Sequence, residues 1–210
     1  DNPNVSRIFR EAEKWGAQLG VENVADLNDV IRHGDIGDLI RVCEAQHEKQ
    51  IAQIADEIAA QRDRIHLIII AGPSSSGKTT FTQRLAIHLK VNGLKTVAIS
   101  IDDFFKNRED TPKTPEGDYD FETIEAIDIE LFNDTINKLM NGEEVELPYY
   151  NFHTGRREWR GKKLKISDDH VILVEGIHGL NERLTHYIDE EKKYKIYISP
   201  LTHLNLDNHN

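Results

Sequence analysis

The stretch Leu67 to Thr80, LIIIAGPSSSGKTT, constrains this chain more than any other. Its aliphatic half is a short β-branched run without alternation, the pattern of a strand covered on both faces. Its polar half fits G-x-x-x-x-G-K-[ST], from Gly72 through Gly77 and Lys78 to Thr79. Backbone amides that converge on phosphate oxygens need glycines, which permit close approach and positive φ. The residues that follow place Phe81, Leu85 and Leu89 on one side of a helix, and the N-terminus of such a helix points partial positive charge at the same anion. A strand leading in and a helix leading out are the context this motif requires. The pattern predicts that Gly72, Ser74, Ser75, Ser76, Gly77, Lys78, Thr79 and Thr80 cradle the phosphates of ATP. Lys78 is expected to reach the β/γ-phosphates, and the Thr79 hydroxyl to ligate Mg²⁺.

Around this motif, elements alternate in the manner of a parallel sheet. KTVAISI and HVILVEG read as further buried strands, YKIYIS as a fourth, and IDIELFNDTINKLMNG as a helix. Between Glu146 and Lys165, aromatic and basic residues interrupted by HTG and RG predict a projecting β-hairpin. The first 63 residues read as helical instead. Val5, Ile8, Phe9, Ala12, Trp15 and Leu19 recur at helical spacing, with Gly20 as a stop. A shorter helix ends near Gly34. A longer one carries Ile36, Leu39, Ile40, Cys43, His47, Ile51, Ile54 and Ile58 along one face, with His47 expected as a satisfied structural histidine. The expected organisation is a helical appendage over residues 1–63 and a nucleotide-binding core over 64–210. The core is expected to be an α/β fold, a parallel sheet of the P-loop NTPase type covered by helices.

Two further strand ends add acids. VAISIDDFF ends in Asp102 and Asp103, and HVILVEG ends in Glu175. In open parallel sheets ligands gather at the carboxyl ends of strands. Lys78 and Thr79, Asp102 and Asp103, and Glu175 should therefore share one crevice. A carboxylate there can hold Mg²⁺ or accept a proton from an attacking hydroxyl. A regulatory GTPase pattern is absent from the sequence. None of the thirteen glycines has Asp three residues earlier, and Asn137-Lys138 continues as Leu139-Met140 rather than toward Asp. A kinase for a small molecule needs an acceptor pocket instead. GDYDFE and PYYNFHTGRREWRG are the candidates, the aromatics for stacking and arginines such as Arg157 for forked donation.

The net charge of −11, with 37 acidic against 26 basic residues, disfavours a broad nucleic-acid-binding face. It leaves a phosphorylated small molecule as the partner. The single cysteine, Cys43, suits a reducing cytoplasm, and no aliphatic run is long enough for a membrane span. Homo-oligomerisation is left open. The first residue is Asp1 and the only methionine is Met140, so the chain is expected to be a piece of a longer one.

GPSSSGKTT, IDDFF, YDFE, PYYNF and VILVEGIHGL, in that order, resemble the uridine kinase and phosphoribulokinase family on its uridine kinase side. With its helical lead-in the chain resembles bacterial uridine kinase-like proteins that carry a threonyl-tRNA synthetase-like region upstream. The resemblance implies transfer of the γ-phosphoryl of ATP to the 5′-hydroxyl of uridine or cytidine. It implies Asp102 as base, with Lys78 on the phosphates and Thr79, Glu175 and Asp102 around Mg²⁺. Phe105, Phe121, Glu122, Tyr150, Phe152, His153 and Arg157 are the implied acceptor contacts. Glu122 stands where the family has aspartate, and Gly155 where it commonly has a base-contacting histidine. The family's lid arginines have no counterpart after Arg183 and are expected beyond Asn210. Two other readings stay open: a kinase for another sugar-like hydroxyl, and an ATP-binding regulatory module without turnover.

Overall fold

The computed structural model describes residues 3–199 and Leu204, with side chains from Arg10 onward. The predicted contacts of Val5, Ile8 and Phe9, and all but one residue of the final LTHLNLDNHN, lie outside the described residues. The described residues divide into two compact units, the first running to Gln50 and the second spanning Ile51–Ser199.

In the first unit, α1 covers Pro3–Leu19 and α2 covers Val24–His33. Gly20 and Gly34 take φ of +66° and +86° just past these helices, the left-handed geometry that lets a chain leave a helix. Asn23 caps α2 by accepting from the Asp26 amide at 3.1 Å, and the Asp26 carboxylate accepts from the Asn23 amide in return. Helix α3 covers Ile36–Ala59. Its apolar stripe is buried only from Ile51 onward, through Ala55 and Ile58, whereas Ile40, Cys43 and His47 are exposed. The structural-histidine expectation for His47 is therefore corrected. Helical periodicity identified the face, but periodicity alone does not say how far along a face the neighbours extend.

The second unit is built on a parallel sheet of β1 (Leu67–Ala71), β2 (Lys95–Ser100), β5 (His170–Glu175) and β6 (Lys193–Tyr197), in the order β2-β5-β1-β6. Helix α4 (Lys78–Val91) follows β1, and α5 (Ile129–Met140) precedes the antiparallel hairpin of β3 (Val145–Asn151) and β4 (Arg156–Leu164). Side chains alternate across the sheet. Leu67, Ile69, Ile172 and Val174 face one core with Phe132, Ile136 and Leu139 of α5. Ile68, Ile70, Val171 and Leu173 face the other, with Phe81, Leu85 and Leu89 of α4 and Ile51, Ala55 and Ile58 of α3. Both faces are covered, so β1 and the centre of β5 are fully buried, as their unbroken aliphatic runs require.

Two of the four predicted buried strands are edges instead. In β2 only Ile99 is buried, and in β6 only Lys193 and Ile196 are. An edge strand has one partner and one covered flank, so a β-branched composition suits it without complete burial. Lys193 is accommodated by hydrogen bonds from its ammonium to the Thr185 carbonyl at 2.8 Å and to Glu190 at 2.8 Å. None of the described helices is long and apolar enough to cross a membrane.

Candidate active site

Sheet order brings the predicted groups together. Strand β5 lies between β1 and β2, with Glu175 in register with both Ile70 and Ser100. The chain leaves β1 into the loop, leaves β2 into a 3-10 turn at Ile101–Phe104 that carries Asp102, and leaves β5 at Glu175. Those three exits are neighbours at one end of the sheet.

The loop after β1 has the required backbone. Gly77 takes φ of +87° at the start of α4, and Ser75, at +59°, is the one non-glycine residue with positive φ among the described residues. A Cβ on Gly72 would lie 2.4 Å from the Ile198 carbonyl oxygen, so the close approach of the chain after β6 demands glycine there. The Lys78 ammonium donates to the carbonyls of Gly72 at 2.9 Å and Pro73 at 2.7 Å, which holds it within the loop. Ser74, Ser75 and Thr80 are exposed along the loop's rim; the Ser76 hydroxyl is buried without a partner among the described residues.

Glu175 is held at both oxygens. The Thr79 hydroxyl donates to Oε1 at 3.0 Å and the Thr82 hydroxyl to Oε2 at 3.1 Å. Thr82 also lies 2.8 Å from the Lys78 carbonyl and is buried; its single proton serves one of those acceptors at a time. Thr82 was missed in the sequence, although residues three apart on a helix share a face and Thr79 was already implicated.

Asp102 is half-buried, and its amide donates to the Ser100 hydroxyl at 3.3 Å. Burial pushes its carboxyl above the usual aspartate value; the Asp103 and Glu175 charges push the same way, while Lys78 and His178 pull it down. Asp102 thus lies within reach of the charges of both Lys78 and Glu175. His178 is a second group the sequence reading passed over. It is buried in the turn after β5, and its Nε2 has no hydrogen-bond partner among the described residues. Asp103 has another task. Its Oδ1 accepts from the Tyr150 amide at 3.2 Å, tying the turn after β2 to the hairpin. Burial raises its carboxyl, and that hydrogen bond together with Lys162 opposes the rise.

The hairpin delivers aromatics to the same turn. Phe105 meets Phe121 at 5.2 Å, Tyr150 at 5.4 Å and Phe152 at 6.2 Å between ring centres, all edge-on. Phe105 and Tyr150 are buried, while Phe152 is exposed at the rim. Glu122 is exposed beside this cluster in sequence, and His153 is exposed in the turn between β3 and β4, where its amide donates to Asn151. Arg157 stands opposite Tyr150 across the hairpin. Its guanidinium is bound to Asp128 at 2.8 Å, in a cleft of about 530 Å³ that also takes in Lys106, Glu125 and Arg183. A further arginine, Arg108, donates to the Phe152 carbonyl at 2.9 Å. No local sequence signal singles it out.

Among the described residues no group of three or more His, Cys, Asp or Glu side chains could by itself hold a metal ion. Mg²⁺ takes one or two carboxylates and leaves its other positions to water and phosphate. The Thr79 hydroxyl, Glu175 and Asp102 supply hard oxygen donors of that kind.

A buried parallel strand, a glycine-bent loop and carboxylates at the ends of β5 and β2 define a phosphate-binding-loop α/β protein. More narrowly, the chain belongs to the Phosphoribulokinase / Uridine kinase family, whose model matches residues 67–209. It is similar to a uridine kinase of Schizosaccharomyces pombe, 33% identical over 60% of this chain and 28% of that one. It is also similar to an inorganic pyrophosphatase, TTM2, of Arabidopsis thaliana, 32% identical over 63% of this chain and 18% of that one. The chain thus spans less than a third of either relative. Among solved structures, a protein of Bacillus stearothermophilus described as a possible uridine kinase shares the fold. Its TM-score is 0.57 at 22% identity, covering 73% of this chain and 80% of that one.

Proposed function

We propose that this chain carries the catalytic core of an ATP-dependent kinase that phosphorylates the 5′-hydroxyl of uridine or cytidine. One observation carries the reading: the exits of β1, β5 and β2, with Lys78, Glu175 and Asp102, are neighbours at one end of the sheet, and the aromatic cluster begins three residues after Asp102, at Phe105. A proton acceptor thus stands between a phosphate cradle and a surface suited to a planar ring.

In this reading Lys78 and the loop amides hold the triphosphate. The acceptor hydroxyl gives its proton to Asp102 as its oxygen bonds to the γ-phosphorus, and ADP leaves with the electron pair of the broken bond. Thr79, Glu175 and Asp102 would hold Mg²⁺, which supplies charge neutralisation on the phosphates. Most of the catalysis is positioning and electrostatics.

The TTM2 relationship favours a second reading. The same stretch recurs inside a long protein named for pyrophosphatase chemistry, as expected of an ATP-binding regulatory module. The test is to give the full-length protein Mg-ATP with uridine, cytidine and a panel of sugars, and to read products by mass. A 5′-monophosphate from uridine or cytidine is the expected product. A phosphorylated sugar alone would replace the acceptor, and ATP binding with no acceptor product would leave the regulatory module.

A further inference from the structure

Arg108 and Lys113 are cations placed against the aromatic cluster that the proposed reaction does not use, and of the two it is Arg108 that bonds the hairpin. It is half-buried in the 3-10 turn Arg108–Asp110. Its amide donates to the Gly155 carbonyl at 2.8 Å, and its guanidinium to the Phe152 carbonyl at 2.9 Å. Gly155 takes φ of +68°, and a Cβ there would lie 2.5 Å from Arg108 Nε and 2.7 Å from Cζ. The guanidinium therefore fills the space that any side chain at 155 would claim.

The group is poised rather than consumed. Its carbon lies 5.9 Å from the centre of the Tyr119 ring, which stands 6.5 Å from Phe121. Among the described residues it forms no ion pair, and the bond to Phe152 is its one side-chain hydrogen bond, so most of its N–H donors remain for a ligand. Beside it the Tyr150 hydroxyl is buried with no partner among the described residues. Burial raises that phenol, and Arg108 acts against the rise.

A guanidinium only donates. Where a stacked ring turns its C4 edge toward it, uracil offers a carbonyl oxygen, whereas the amino group of cytosine would set N–H against N–H and leave donors unmatched. We propose that Arg108 is a specificity-determining residue of the acceptor site, selecting a pyrimidine ring with a carbonyl at the position where cytosine carries its amino group. This rests on the nucleoside kinase reading above.

The alternative is that Arg108 merely staples the hairpin turn. To separate them, kcat/KM and calorimetric affinity are measured for uridine and cytidine with the full-length protein and with Arg108→Gln and Arg108→Lys, thermal melting checking each variant's fold. The wild type should favour uridine by about tenfold or more, the scale of a matched buried polar contact against a mismatched one. Arg108→Gln should bring that ratio near one by lowering uridine, and Arg108→Lys should keep part of it. A wild-type ratio near one overturns the proposal while leaving the kinase reading intact, whether or not the variants fold. So does an equal loss of both substrates in Arg108→Gln, the mark of a staple. If the wild type neither binds nor phosphorylates either nucleoside, the kinase reading falls and this inference falls with it.

Discussion

The proposed phosphate cradle and the proposed aromatic acceptor face lie at the same end of one sheet, yet they are built in opposite ways. The cradle is local: Gly72, Gly77, Lys78, Thr79 and Thr82 sit within a dozen residues, and one distant partner, Glu175, receives two of their hydroxyls. The acceptor face is assembled at long range. Phe105 and Tyr150, or Arg108 and Phe152, are more than forty residues apart and meet only because the hairpin folds back onto the turn after β2. A local motif can be written in any sequence context that supplies a strand and a helix. A long-range face depends on every element between its parts, which gives room for specificity to change while phosphate handling stays the same.

The largest expected effect falls where the two halves meet. Asp102→Asn should lower kcat by about 10²–10⁴-fold, the range for loss of a positioned base; full turnover would remove Asp102 from the chemistry. The same variant carries a stability signature. Since burial raises the folded-state value, folded Asp102 binds more protons than the unfolded chain between the usual value of 3.8 and that raised value, so wild-type stability falls as pH rises through this window. Asp102→Asn should therefore melt higher than wild type at neutral pH, and the gap should close below about pH 3.8. A gap independent of pH would sink the assignment of buried charge.

Next in size is the donor side alone. Thr82→Val removes one of the two hydroxyls on Glu175 and should weaken Mn²⁺-ATP binding by about 10–100-fold, as for other groups that orient a metal-holding carboxylate. Thr82→Ser should restore it, and acceptor KM should hardly move. Spin resonance of the bound Mn²⁺ reads this without turnover.

Asp103→Ala tests the link between halves. Loss of its hydrogen bond to the Tyr150 amide should cost about 1–3 kcal/mol of stability, since it leaves a part-buried donor unmatched. It should also raise acceptor KM, measurable by chemical denaturation alongside steady-state kinetics. The smallest effect belongs to Phe152→Ala. Its ring is 57% exposed, so acceptor KM should rise about fivefold, the low end for a stacking ring, with no change in ATP affinity. A change in ATP affinity there would break the separation between the two halves.

How far the site could be read in the sequence follows the same division. Lys78, Thr79 and Glu175 declare themselves because each is set by its own strand end. Asp102 and Asp103 are adjacent and alike in sequence, yet one enters the charge cluster and the other grips the hairpin; which carboxylate turns which way is settled by the 3-10 turn and by β3. Arg157 and Arg108 are equally plausible forks on paper. Asp128, at the start of α5, captures the first, and the bare backbone of Gly155 admits the second.

The sequence by itself determined the buried strand β1, the glycine-bent loop and the helix after it, because burial, chain geometry and phosphate chemistry each restrict residue type within a few positions. Only the tertiary structure decided that β2 and β6 are edges among the described residues, that Thr82 holds Glu175, and that Arg157 bonds Asp128 while Arg108 bonds the Phe152 carbonyl. Those outcomes depend on which distant group arrives first at a shared space or a shared hydrogen bond, and that is a property of packing in three dimensions rather than of any local pattern.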